Sequence, residues 1–135
     1  MHYGLIMKNV FFVIFILMTG FQSTAQVNVQ EDDNRIYSVA QVKAIPSEGL
    51  NKLKYKLAIE LKRYKNERGL DTLIFQFVVE KDGSLSNIQV KNENLSEKNI
   101  QKAIYVLEKS KWIPAKHVGK SVRSLFIITM RLKAD

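Results

Sequence analysis

The chain has no cysteine, so it can form neither a disulfide nor a thiolate metal site, and no lipidated cysteine can tether its N-terminus. Proline is nearly as scarce. The two present, Pro46 and Pro114, cannot make a stiff spacer, which would need tens of residues extended at about 3.1 Å each. Past the N-terminal apolar segment the glycines, Gly49, Gly69, Gly83 and Gly119, are scattered and make no phosphate-cradling loop, which excludes a nucleotide site of that kind. His117 is the only histidine past that segment, which excludes a His-rich metal centre and leaves a catalytic triad dependent on one residue. It reads as a solvated loop histidine.

Long apolar runs are also few, and the one at residues 10–21 is broken only by Thr19 and Gly20. It is shorter than the roughly 20 residues of a spanning helix. Lys8 gives a positive region before it, and Ser23-Thr24-Ala25 places small residues after it. This pattern predicts a signal peptide over residues 1–25, cleaved before Gln26, with Met7-Lys8-Asn9 a second natural start. If residues 10–21 were retained, they would be a membrane anchor instead. Cleavage removes Lys8 and no acid, so 20 basic side chains face 13 acidic ones, a net charge of +7. The roughly 110 residues that remain suit a single domain with one core.

Residues 26–44 read as a flexible lead-in, polar around Glu31-Asp32-Asp33, with a short N-terminal strand where Tyr37, Val39 and Val42 oppose Ser38 and Gln41. The folded domain is expected over residues 45–135. Leu50, Leu53, Leu57, Leu61 and Tyr64 recur at helical spacing, which predicts an amphipathic first helix capped by Ser47, with Gly69 as the exit. Residues 73–79 are rich in β-branched and aromatic side chains and predict a buried strand with Phe75, Phe77 and Val79 on one face. Asp82-Gly83 then predicts a hairpin, because glycine accepts the positive φ of the turn, and residues 85–91 return with Ile88 and Val90 toward the core. Ser96 caps a second helix whose Ile100, Ala103, Ile104 and Leu107 form one stripe, with Glu97 and Lys109 suiting the helix dipole at either end. Pro114 stops it. Residues 122–132 alternate over both faces as a long last strand.

The fold class expected is therefore α+β, in the order α-β-β-α-β. A split β-α-β crossover would make a three-stranded antiparallel-type sheet with its first strand central and two helices on one face. The last strand would then be an exposed edge.

Little in this pattern supports catalysis. Ser84, Ser86, Ser96 and Ser121 sit at turns and caps, none in a nucleophile-elbow context, and Glu80 and Asp82 flank the hairpin for backbone reasons. No catalytic, cofactor-binding or metal-ligating residue is predicted, and no cofactor; the protein is expected not to be an enzyme. The cations Lys52, Lys54, Lys56, Lys62, Arg63, Lys65 and Arg68 gather in the first helix, and Lys111, Lys116, Lys120 and Arg123 around the Trp-x-Pro elbow. They read as a solvated face with a field favouring anionic partners. Nucleic acid is not expected, because the chain is exported and lacks an RNA- or DNA-binding pattern. Trp112, directly after the second helix, is expected to plug the core.

Phe75-x-Phe77-x-Val79, Asp82-Gly83-Ser84-Leu85, Ile88-x-Val90, the Ile100/Ala103/Leu107 stripe, Trp112-x-Pro114, Gly119-Lys120-x-Val122 and the strand from Phe126 to Leu132 together resemble the TonB C-terminal domain family. The likeness covers residues 45–133. It departs where Lys65 follows Tyr64 in place of the family's Tyr-Pro, and where a proline-rich spacer and an anchor are wanting. The resemblance implies a periplasmic, transport-associated module whose final strand pairs with an extended receptor peptide. Here that edge would present Arg123, Leu125, Ile127, Thr129 and Arg131, the two arginines facing acidic flanks. Partners would be a protein or peptide segment of an outer-membrane receptor or transducer, with the membrane reached only through them. The alternative is a self-associating or cell-wall-associated structural domain, a homodimer among its forms.

Overall fold

A computed structural model of the chain describes residues 33–61, 71–92 and 94–132. The expected signal peptide, Tyr64, Gly69 and the cations Lys62, Arg63, Lys65 and Arg68 lie outside the described residues. In chain order the elements are β1 Ile36–Tyr37, β2 Ile45–Pro46, α1 Leu50–Glu60, β3 Asp71–Val79, β4 Leu85–Lys91, α2 Glu97–Lys109, β5 Trp112–Ile113, β6 Ala115–His117 and β7 Lys120–Leu132. The class is α+β.

The sheet is larger than the three strands expected. Its order is β1-β7-β3-β4, with β6 also on β7, which makes five strands; β2 and β5 form a separate two-stranded ladder. β3 pairs antiparallel with β7 from Asp71↔Leu132 to Val79↔Ser124, and antiparallel with β4 on its other edge. Of the additional strands, β1 falls within the short N-terminal strand expected, while β6, three residues long, is too short for alternation to carry a signal.

The β3–β4 hairpin forms where Asp82-Gly83 predicts it. Glu80 N–H donates to the Ser84 carbonyl at 2.9 Å, and Gly83 sits at φ 82°, the left-handed position that closes a three-residue loop. Asp82 Oδ1 accepts from both the Ser84 backbone N–H and its hydroxyl, which holds the Asp82 carboxyl below its ordinary pKa. Further along β4 the register shifts between Gln76 and Val78, and Asn87 adopts φ 49°. This bulge gives two residues of β4 to one of β3, so Leu85, three positions before Ile88, joins Ile88 and Val90 against the core.

Only one face of the sheet carries the core. Leu53, Leu57 and Leu61 from the first helical segment, Ala103 and Leu107 of α2, and Leu73, Phe75, Phe77, Val79 and Ile128 of the sheet are all buried in one cluster. Trp112 joins them, 5% exposed, with its ring edge-on to Phe77 at 5.2 Å and to Phe126 at 4.8 Å. Its indole N–H donates to Ser110 Oγ at 2.9 Å, so the one polar atom of the plug is satisfied.

α2 begins as its sequence suggests, with Ser96 Oγ accepting from Asn99 N–H. α1 does not. Its N-cap is Gly49 at φ 88°, without a side-chain hydrogen bond; Ser47 lies two residues earlier, its N–H donating to the Lys111 carbonyl at 2.8 Å. The β2–β5 ladder, Ile45↔Ile113 and Pro46↔Trp112, lies just before Ser47, and the helix begins at Leu50, the first apolar position of the expected stripe.

Candidate strand-docking edge

β7 is the longest strand, and its two edges have different neighbours. At Ser124 it has Val79 of β3 on one edge and Tyr37 of β1 on the other, the latter in a parallel ladder made only of Ile36↔Arg123 and Tyr37↔Ser124. β6 pairs with the beginning of β7 through Val122, Ser121 and Lys120. From residue 125 to 132, no described strand pairs with the edge opposite β3. The exposed edge expected of the last strand is thus interrupted at Arg123 and Ser124 by the chain's own N-terminal segment.

The five residues singled out from the sequence, Arg123, Leu125, Ile127, Thr129 and Arg131, alternate onto the sheet face away from the helices. Leu125 lies opposite Val78, Ile127 opposite Gln76, Thr129 opposite Ile74 and Arg131 opposite Thr72. Ile127 is 54% exposed, a large apolar side chain beside that edge.

Arg123 is set apart from the other four. Its Nε and Nη2 donate to the two oxygens of Glu80 at 2.7 and 3.0 Å, and its Nη1 donates to the Asn34 carbonyl at 2.8 Å. The Arg123 guanidinium holds the Glu80 carboxyl below its ordinary range, helped by the Ser86 hydroxyl, and Glu80 raises Arg123 in return. Arg123 was expected to meet an acidic flank of a partner. It is instead an internal clamp between the ends of β3, β7 and the segment before β1.

After Tyr37 the chain leaves β7, and a groove of about 400 Å³ opens between the two. Ser38, Val39, Ala40, Lys43, Ala44 and Ala115 line one side, and residues 124–127 the other. Ser124, 5% exposed, has a buried hydroxyl without a hydrogen-bond partner at the point where β1, β3 and β7 meet. The sequence offered no direct sign of this groove, since it depends on a parallel contact between segments almost ninety residues apart.

Other concavities are less distinctive. Between the helices a cavity of about 240 Å³ is bordered by Pro46, Leu53, Ile59, Tyr105 and Val106 with a mixed-charge rim. The basic α1 face is partly neutralised there: Glu48 Oε2 lies 2.6 Å from Lys56 Nζ and 3.4 Å from Lys52 Nζ, and these cations lower the Glu48 pKa. A shallow polar cleft gathers Asp33, Glu80, Asp82 and Arg123, with Asp33 paired to Lys81. His117 lies 4.9 Å, ring to ring, from Tyr37 rather than free in a loop. Among the described residues no group of three His, Asp or Glu side chains is placed to hold a metal ion, and no helix is long and apolar enough to cross a membrane.

No protein-family model matches the chain, and no curated protein matches it.

Proposed function

We propose that the protein is an exported, non-catalytic binding module of the periplasm that takes an extended segment of an outer-membrane receptor or transport component onto the edge of β7 as an added strand. The observation that carries this reading is the edge over residues 125–132, which no described strand pairs, flanked by exposed Ile127 and opening at one end into an apolar-walled groove. Main-chain hydrogen bonds along the edge supply affinity without demanding one sequence, while Leu125, Ile127, Thr129 and the groove wall select side chains. The resemblance of the hairpin, Trp-x-Pro elbow and last strand to the TonB C-terminal domain family supports the choice of partner. Arg131, unlike Arg123, is exposed and remains available for an acidic flank.

Titration of the isotope-labelled protein with synthetic peptides copied from the N-terminal segments of receptors in the same genome tests it. Amide shifts concentrated in residues 125–132 support the reading; shifts elsewhere, or none with any peptide, refute it. A second reading, self-association through the same edge, is favoured by exposed Ile127, which a second copy would cover. Sedimentation equilibrium at several concentrations separates the two, since a dimer would hide the edge.

A further inference from the structure

We propose that residues 34–40 act as a displaceable strap over the beginning of the β7 edge, so that a partner strand longer than the free stretch must exchange with the chain's own β1. This rests on the docking reading above and specifies how the site is regulated.

The strap is held lightly where it meets β7. Its ladder is two residues long, and a two-residue parallel pairing is among the weakest sheet contacts. Of its apolar side chains, Ile36 is 42% exposed and Val39 77%, and Ala40 at its far end is the one packed against the core. Its holds on the rest of the domain include the Asn34 carbonyl on Arg123 and the Tyr37 ring against His117, while the Arg35 guanidinium over the Tyr37 ring, 4.9 Å from its centroid, is a contact within the strap. Asn34, Tyr37, His117 and Arg123 are all at least partly solvated.

Just beyond, the chain is pinned. Val42 and Lys116 exchange two backbone hydrogen bonds at 2.9 Å, Val118 N–H donates to Gln41 Oε1 at 2.8 Å, and Ala44 is 2% exposed. The strap can therefore swing about Gln41 and Val42 while the core stays intact.

Position makes the exchange consequential. The strap departs from β7 at Tyr37, and the groove it leaves ends against residues 124–127. A strand added along residues 125–132 would meet the strap end on. One that continued to Arg123 would have to take the place of Ile36 and Tyr37. The closed strap then lowers the apparent affinity for long segments by the fraction of molecules that are open, and leaves short segments unaffected.

Native-state amide hydrogen exchange on the protein tests the strap without any ligand. The β1 amides, and those of β7 bonded to it, should exchange about 100-fold faster than those of Phe75 and Ile128 at the sheet centre. Protection equal to the centre would overturn the proposal, and it would leave the docking reading standing if receptor peptides still shift residues 125–132. A second measurement uses a nine-residue peptide identical to residues 34–42. In a Tyr37→Pro variant with an otherwise unchanged core spectrum, this peptide should shift Arg123, Ser124 and Leu125 with at least about tenfold higher affinity than in the wild type, because the competing strap is gone. Equal binding to both proteins, or no shift in the variant, would overturn it.

Discussion

Arg123 and Glu80 face each other across the ends of β7 and β3, joined by two hydrogen bonds of 2.7 and 3.0 Å with about three quarters of each side chain buried. A bidentate pair fixes both partners in orientation as well as in charge. Here it also fixes the guanidinium that holds the Asn34 carbonyl, so a link inside the sheet determines where the N-terminal segment lies.

The pair gives stability a definite pH dependence. Glu80 is depressed in the folded state, so its contribution is fully present above the ordinary glutamate range and is lost as pH falls through the depressed value. Glu80→Gln should lower the urea midpoint at neutral pH and narrow its gap to the wild type as the solution is acidified toward pH about 3. A gap that stays constant with pH would show that the charge of Glu80 contributes nothing.

Gly83 should tolerate no side chain. Its φ of 82° disfavours any L residue, and a Cβ placed there would stand 2.2 Å from the Trp112 carbonyl oxygen, a backbone atom with little room to give. Two penalties of about 1–3 kcal/mol each act together in Gly83→Ala. Chemical denaturation should show a loss of at least about 2 kcal/mol, and near-ultraviolet circular dichroism a disturbed Trp112 signal.

Val118 offers the opposite opportunity. With Gly119 it forms the two-residue connection between β6 and β7, both at positive φ, 49° and 73°, although a β-branched residue is the poorest occupant of that region. Val118→Asn would create the Asn-Gly pair such turns favour and should raise stability by about 1 kcal/mol. Val118 is 66% exposed, so little packing is lost in compensation, and a fall in melting temperature would contradict the assignment of strain.

Trp112 is the plug between α2 and the sheet, and Trp112→Ala should cost about 3–5 kcal/mol. Trp112→Phe keeps the edge-on contacts with Phe77 and Phe126 but abandons Ser110 Oγ, so it should recover most of that loss. Thermal denaturation of the two variants ranks them; equal losses would place the importance in the hydrogen bond rather than the ring.

Elements whose signals are local were legible. The β4 bounds, the Asp82-Gly83 turn, the Ser96 cap and the Ile100, Ala103 and Leu107 positions of the α2 stripe each depend on neighbours within a few residues and stand where their patterns predict, while Val106 packs on the core in place of the expected Ile104. What escaped was set by distant pairing. Ser47 does not cap α1: the helix is entered through Gly49, while Ser47 N–H pairs with Lys111, far along the chain. The Val118-Gly119 turn was hidden because valine is the wrong residue for it. At the candidate site the alternation of Leu125, Ile127, Thr129 and Arg131 could be read, but the diversion of Arg123 to Glu80 and Asn34 could not, since no periodicity relates these three positions.

Residues 125–132 of β7 are proposed to accept a foreign strand. Intermolecular nuclear Overhauser contacts, measured between an unlabelled receptor peptide and the isotope-labelled protein, test it most directly. The expected result is a ladder of backbone contacts running from Leu125 toward Leu132, with side-chain contacts to Ile127. Contacts confined to the cavity between the helices, around Ile59 and Tyr105, would contradict it.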